Sequence, residues 1–304
     1  MPAVRRTRRE QLATLALVAV TTVWGSTFVL IKHVVETVPV ADFLAVRFVI
    51  AAALMLALFG RRVARLSRAA ALRGLGLGAV YGAAQLLQTA GLARTSASVA
   101  GFVTGMYVVL TPVLGLLLLR QKAGRSTWLA VASATLGLGL LSLRGTEVSA
   151  GVLLVLASTV LYALHILGLG LWSSSRDAMG LAAVQMAGIA AVCTVGALPG
   201  GVTLPPDGSA WTATLYTAIG AGALAILLQT WAQAHLTATR AAIVMTLEPV
   251  AAAAFAVGFG EALTGRMVLG GLFVLGAMYL VELSPRPPGP AAQSPPREML
   301  HHEV

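Results

Sequence analysis

The chain has 304 residues, of which 58% are hydrophobic and only 11% are charged, and its formal net charge is +10 at pH 7. Ordinary soluble domains have roughly 25% charged residues, so this composition excludes a soluble globular protein and indicates a polytopic membrane protein. The basic residues form short clusters between apolar segments, which is typical of cytoplasmic anchoring charge and does not favour a nucleic-acid partner. Cys193 is the single cysteine, so an intrachain disulfide is excluded. We expect no metal and no cofactor.

Ten apolar segments follow a short basic tail at residues 1–11, and each is long enough to cross a hydrocarbon core of roughly 30 Å. We therefore predict an all-α protein with ten transmembrane helices. The segments cover residues 12–33, 41–59, 72–92, 97–119, 126–143, 150–171, 178–198, 211–234, 240–259 and 266–283. The proline-rich tail at 284–304 is predicted to be disordered and cytoplasmic.

The chain carries one stretch twice. The sequence Leu-Leu-Gln-Thr occurs at 86–89 and again at 227–230, and each copy leads to a proline well inside an apolar span, Pro112 or Pro249. Both prolines are predicted to kink their helices, because proline removes a backbone donor and displaces the preceding turn. The recurrence indicates an internal duplication.

The duplication and the basic residues together predict a topology. The halves cover residues 12–145 and 146–283, and each contains five predicted spans. An odd number of spans makes the second half enter the membrane in the opposite orientation, which gives an inverted repeat, a common transporter architecture. Most of the 21 Lys and Arg residues lie on one side of this arrangement, so both termini are predicted to be cytoplasmic.

Four motifs carry a resemblance to a known family. They are Trp-Gly-Ser-Thr at 24–27, Arg-Phe at 47–48, the run at 95–104 and Leu-Glu-Pro-Val at 247–250. With them, the chain resembles the EamA family of the drug/metabolite transporter superfamily over residues 12–283. The resemblance implies a ten-helix exporter or facilitator of small organic solutes in a bacterial inner membrane, with a central cavity between the halves.

Polar and aromatic side chains share helical faces in several spans. Tyr81, Gln85 and Gln88 fall at i, i+4 and i+7, and the eighth span repeats the pattern with Gln229 and Gln233, which lie near Trp231. Amides in lipid are costly unless paired, so we expect these faces inside the bundle, either lining a solute site or joining helices. The predicted substrate-binding residues are Trp24, Tyr81, Gln85, Gln88, Thr104, Tyr107, Tyr162, His165, Gln229 and Trp231.

Glu248 and Arg47 are the charged residues predicted to act in coupling or gating. Pro249 frees backbone about halfway through the bilayer, so Glu248 lies beside a ready polar site. A carboxylate there could exchange protons, which makes protons a candidate coupling ion, or a cation such as Arg47 or the substrate's amine could hold it ionised. The alternatives are a Glu248 that caps freed backbone and an Arg47 with a structural role.

Three other functions compete with transport of amino-acid-like or drug-like solutes by alternating access. Proline-interrupted helices at matched positions favour alternating access, whereas fixed glutamines without a moving element would favour a passive solute channel. A non-transporting accessory subunit would have no cavity between the halves. An enzyme is not expected, because the spans lack His-Glu-x-x-His and Gly-x-Ser-x-Gly motifs.

Overall fold

The structure is a computed structural model that describes residues 8–119, 124–144, 147–172, 178–233 and 244–283. Most of the two predicted tails, the end of the predicted eighth span and the start of the ninth lie outside the described residues. In the first half the helices are α1 Arg8–Val34, α2 Val40–Val63, α3 Arg68–Leu92, α4 Ala97–Gly105, α5 Tyr107–Leu119 and α6 Arg125–Ser142.

In the second half the helices are α7 Ala150–Trp172, α8 Ala178–Ala197, α9 Gly208–Leu215, α10 Ala225–Gln233, α11 Leu247–Gly258 and α12 Gly265–Leu283. A 3₁₀ turn follows α8 at Leu198–Gly200, and a π-helix at Tyr216–Leu224 joins α9 to α10. Between the halves, the short strands β1 Leu143–Arg144 and β2 Glu147–Val148 pair antiparallel. The predicted α-helical class is confirmed, with this hairpin as the exception among the described residues.

Six helices in the described part of the chain are long and apolar enough to cross a membrane. They are Arg8–Val34, Val40–Val63, Ala97–Leu118, Ala150–Leu169, Ala178–Gly200 and Gly208–Gln229. The apolar helices α11 and α12 are shorter, and α3 and α6 are diluted by glutamine, serine and threonine. The protein is therefore a multi-pass membrane protein, while ten spans in two inverted repeats stay a prediction.

The two prolines predicted to kink helices lie in different settings. Pro112 is inside α5, and the helix is interrupted at Met106, about one and a half turns earlier. Pro249 lies in the first turn of α11, where its missing N–H would have no intrahelical partner in any case. In both halves the helical pattern thus breaks shortly before the proline.

Helices of the first half pack mainly against helices of the second half. The main pairs are α2 with α8, α3 with α7 and α8, α6 with α12, α1 with α10 and α11, and α4 with α11. Further pairs join α5 to α7 and α2 to the π-helix. If each predicted span of the first half is exchanged for the corresponding span of the second half, the same set of helix pairs results.

Glycines allow the closest of these contacts. A Cβ atom on Gly25 would lie 2.5 Å from Ala251 Cβ and 2.7 Å from the backbone nitrogen of Ala252. A Cβ atom on Gly101 would lie 2.6 Å from Ala252 Cβ. Since real Cβ atoms do not approach so closely, both positions must be glycine for α1 and α4 to meet α11, as small residues allow in membrane bundles.

Candidate solute-binding site

Four polar side chains from three helices form one hydrogen-bonded sequence inside the bundle, which we call the polar chain. Gln85 Nε2 donates to the Tyr162 hydroxyl at 2.7 Å, and that hydroxyl donates to Gln88 Oε1 at 2.8 Å. Gln88 Nε2 then donates to Thr104 Oγ1 at 3.0 Å. The two glutamines come from α3, Thr104 from α4 and Tyr162 from α7, so the polar chain joins the two halves.

The helical stripe predicted on α3 explains how both glutamines reach the same tyrosine. Residues three apart on a helix lie on one face, so the amides of Gln85 and Gln88 point toward α7 together. The position of α4 is fixed by a cap, because the Glu261 carboxylate accepts from the Ala97 N–H at 2.9 Å and from the Ser98 hydroxyl. The beginning of α4 is thereby tied to the loop before α12.

Aromatic rings extend the polar chain. The Tyr81 ring lies edge-on to the rings of Tyr162 and His165, with centroid distances of 5.1 Å in both cases. His165 Nε2 forms a hydrogen bond with Gln185 Oε1 at 2.7 Å. Gln185 on α8 was not among the predicted site residues, although a single amide inside the apolar span 178–198 is a signal that could have identified it.

Glu248 is 9% exposed and lies at the start of α11. Its carboxyl group is hydrogen-bonded to the Tyr107 side chain, and it interacts electrostatically with Tyr81 and Tyr162. At the position that matches Glu248 in the first half, the Thr111 hydroxyl donates to its own helix, at the Tyr107 carbonyl oxygen 2.7 Å away. The structure therefore brings Glu248 close to Tyr107 and to the rings beside the polar chain.

Arg47 on α2 is 5% exposed, so its side chain is buried within the helix bundle. Its Cζ lies 4.7 Å from the centroid of the Phe48 ring, and it interacts electrostatically with Tyr81, Tyr162 and Cys193. Arg47 Nε and Nη1 are buried without a hydrogen-bond partner among the described residues. In the same part of the chain, no ion pair joins Arg47 to Glu248.

The Trp-Gly-Ser-Thr motif at 24–27 contacts the π-helix instead of the polar chain. Trp24 Nε1 donates to the Ala221 carbonyl oxygen at 2.9 Å, and the hydroxyls of Ser26 and Tyr216 lie 2.9 Å apart. The wider turns of a π-helix often occur at functional sites. The hydrogen bond of Trp24 therefore joins α1 to the π-helix of the second half.

Two predicted residues of the second half lie apart from the polar chain. Gln229 Nε2 donates to Met245 Sδ at 3.8 Å, and Trp231 is 37% exposed. A solute role for these two residues stays a prediction. The described residues contain no group of three His, Cys, Asp or Glu side chains that could hold a metal ion.

Comparison with known proteins identifies the class. The EamA-like transporter family matches residues 11–143 and, as a second copy, residues 149–283. This chain belongs to the EamA-like transporter family, so the predicted resemblance is confirmed and the protein is a membrane transporter. Members of this family are generally not enzymes. The two matches meet at the β1–β2 hairpin.

The chain is also similar to individual proteins. An uncharacterized transporter of Archaeoglobus fulgidus is 28% identical over 272 residues, which are 89% of this chain and 86% of that protein. A solved crystal structure that is 21% identical covers 88% of this chain and 95% of its own, with a TM-score of 0.59. The latter likeness concerns the fold alone.

Proposed function

We propose that this protein exports small organic solutes, or facilitates their passage, across a bacterial inner membrane by alternating access between its halves. The observation that carries this proposal is the polar chain, because Gln85 and Gln88 of one half share the Tyr162 hydroxyl of the other. Hydrogen bonds across the boundary between the halves change when one half moves relative to the other. A solute held there is exposed to each side in turn.

The proposal includes ten spans arranged as two inverted repeats with both termini in the cytoplasm. The two family matches, each holding five predicted spans, support it, since an odd number of spans inverts the second copy. The helix pairs that exchange with one another between the halves support a two-fold relation. The basic clusters support the orientation.

Glu248 is proposed to couple solute movement to protons, with Arg47 nearby in the same interior. The support is its burial and its hydrogen bond to Tyr107, which place an ionisable group beside the rings of Tyr81 and Tyr162. Intramembrane carboxylates commonly mark ion or proton pathways. Thr104 and His165 are proposed to orient the solute through hydrogen bonds, and a solute role for Trp24, Gln229 and Trp231 stays a prediction.

The test is counterflow in proteoliposomes, in which external labelled solute exchanges for unlabelled solute inside. Full-length protein is assayed with amino acids, nucleosides, sugars and organic cations. A carrier concentrates labelled solute transiently, whereas a passive channel only equilibrates it. Accumulation of at least one solute supports the proposal, and equilibration without overshoot supports the channel instead.

A variant links the activity to the polar chain. Gln88→Leu removes the amide between Tyr162 and Thr104 and is expected to raise the KM for the transported solute by about tenfold. The matched control is Thr135→Val, since Thr135 is exposed on α6 and bonds only its own helix, at the Val131 carbonyl oxygen. An unchanged KM with reduced folded yield for Gln88→Leu would show that the polar chain only joins helices.

A further inference from the structure

Arg47 carries a buried charge that forms no ion pair with any residue that the structure describes. The guanidinium group keeps its charge under all physiological conditions, so it cannot be neutralised in place. Burial of a charge without hydrogen bonds and without an opposite charge is among the most unfavourable arrangements in a protein. Nε and Nη1 of Arg47 are nevertheless buried, and neither has a hydrogen-bond partner in the part of the chain that the structure describes.

The side chains around this guanidinium are neutral or aromatic. The guanidinium group interacts electrostatically with Tyr81 on α3, Tyr162 on α7 and Cys193 on α8, and its Cζ lies 4.7 Å from the centroid of the Phe48 ring. The attraction to the Phe48 ring compensates only a part of the lost hydration. If Arg47 served only to join helices, its donors would meet a carboxylate or backbone carbonyl oxygens. The backbone donor of Ala97 at the start of α4 meets the Glu261 carboxylate in this way.

We propose that Arg47 binds the anionic group of the transported solute, and that this group is a carboxylate. This inference rests on the proposed function. A planar carboxylate offers two acceptor oxygens to the guanidinium donors and supplies the missing opposite charge. A solute without such a group would leave Arg47 as unsatisfied in the bound state as in the empty one.

The charges that interact with this region favour a solute group with a single negative charge. No second cation faces Arg47 among the described residues whose electrostatic interactions reach it. Glu248 interacts with the same two tyrosines, so a further negative charge in this interior would be repelled. A phosphate dianion would need more positive charge than one guanidinium supplies, whereas one carboxylate is balanced by it.

The first test uses wild-type protein and matched solutes that differ only in this group. Leucine and leucinamide, phenylalanine and phenylalaninamide, and lactate and lactamide are compared as competitors of counterflow in proteoliposomes. For each pair that competes, the carboxylate is expected to bind at least tenfold more tightly than its amide. Amides that compete as well as the acids would overturn the inference while leaving the proposed function intact.

The second test uses variants of the full-length chain. Arg47→Gln is expected to raise the KM for a carboxylate solute roughly 10- to 100-fold and that for its amide less than threefold. Arg47→Lys restores part of the difference, since it keeps the charge but not the planar donors. The control is Arg94→Gln, because Arg94 is exposed and bonds its own helix at Ala90.

Each remaining outcome has a distinct meaning. Equal losses for acid and amide in Arg47→Gln would assign Arg47 a structural role and overturn the inference. If the variants do not fold, the wild-type acid–amide comparison still decides the question. Transport of uncharged solutes alone would overturn the carboxylate site but not the transporter. Absence of transport for all solutes would overturn the proposed function, and the inference with it.

Discussion

The two copies of Leu-Leu-Gln-Thr have the same sequence but different surroundings. In the first copy, Gln88 accepts from Tyr162 at 2.8 Å and donates to Thr104 at 3.0 Å. In the second copy, Gln229 donates to the Met245 thioether at 3.8 Å, and sulfur is a weak acceptor. The contrast teaches that a repeated motif supplies the amide, while the neighbouring helices decide what the amide does.

Local helix geometry contributes to the difference. The first motif lies in the regular helix α3, whereas the second follows the π-helix Tyr216–Leu224 by three residues. A π-helix has more residues per turn, so it rotates the side chains that follow it relative to a regular helix. We attribute the separate position of Gln229 to this rotation.

Two further pairs of matched positions also have different surroundings in the two halves. Aligning Thr22 with Thr159 places Gly25 opposite Tyr162, so one copy has a close helix contact where the other has the centre of the polar chain. Similarly, Thr111 bonds its own helix where Glu248 reaches Tyr107. The duplicated scaffold is therefore near-symmetric in packing and asymmetric in chemistry.

Gly25→Ala should have the largest effect, because the new Cβ would lie within 2.7 Å of the Ala252 backbone nitrogen. Overpacking of this kind costs about 1–3 kcal/mol, and we expect a clear fall in melting temperature and in folded yield. The measurement is thermal unfolding in detergent. Gly76→Ala is the control, since nothing lies within 4 Å of a Cβ there. Equal stability of the two variants would contradict the close contact.

Glu248→Gln tests the difference between the matched positions Glu248 and Thr111. Glutamine keeps the size and the hydrogen bonding of the side chain but cannot ionise, so the stimulation of transport by an imposed pH gradient should disappear. Thr111→Val, at the matched position, should retain it. Uptake is measured in proteoliposomes from pH 5.5 to 8. A variant identical to wild type in gradient response and affinity would leave Glu248 with a capping role only.

Tyr162→Phe tests the centre of the polar chain. The substitution keeps the ring beside Tyr81 but removes the hydroxyl that joins the buried Gln85 to the half-buried Gln88. Because the proposed solute site loses one hydrogen-bonding group, we expect the KM to rise roughly tenfold. The matched control is Tyr279→Phe, on a tyrosine that is partly exposed on α12. If both variants transport with wild-type KM, the hydroxyl plays no part in binding.

Much of the fold and part of the site followed from the sequence. Apolar length and helical spacing are local properties, so the helices and the shared face of Tyr81, Gln85 and Gln88 could be predicted. The partners of these side chains depend on contacts between the halves, which no local pattern contains. For that reason the bond between His165 and Gln185 was not predicted.

Other features depended on packing in a different way. The hydrogen bond of Trp24 to the second half depends on a π-helix, and no residue in 216–224 marks that geometry by propensity. No ion pair joins Arg47 to Glu248 among the described residues. This could not be predicted, because a sequence shows that two opposite charges exist and not whether they meet.

The central proposal is that the amide of the first copy, Gln88, contributes more to solute binding than the amide of the second copy, Gln229. The most direct measurement is the KM of counterflow for one transported solute in Gln88→Leu and Gln229→Leu, assayed side by side at equal folded yield. We predict a rise of about tenfold for Gln88→Leu and of less than threefold for Gln229→Leu. Equal rises would show that both copies contact the solute, and a larger rise for Gln229→Leu would contradict the account.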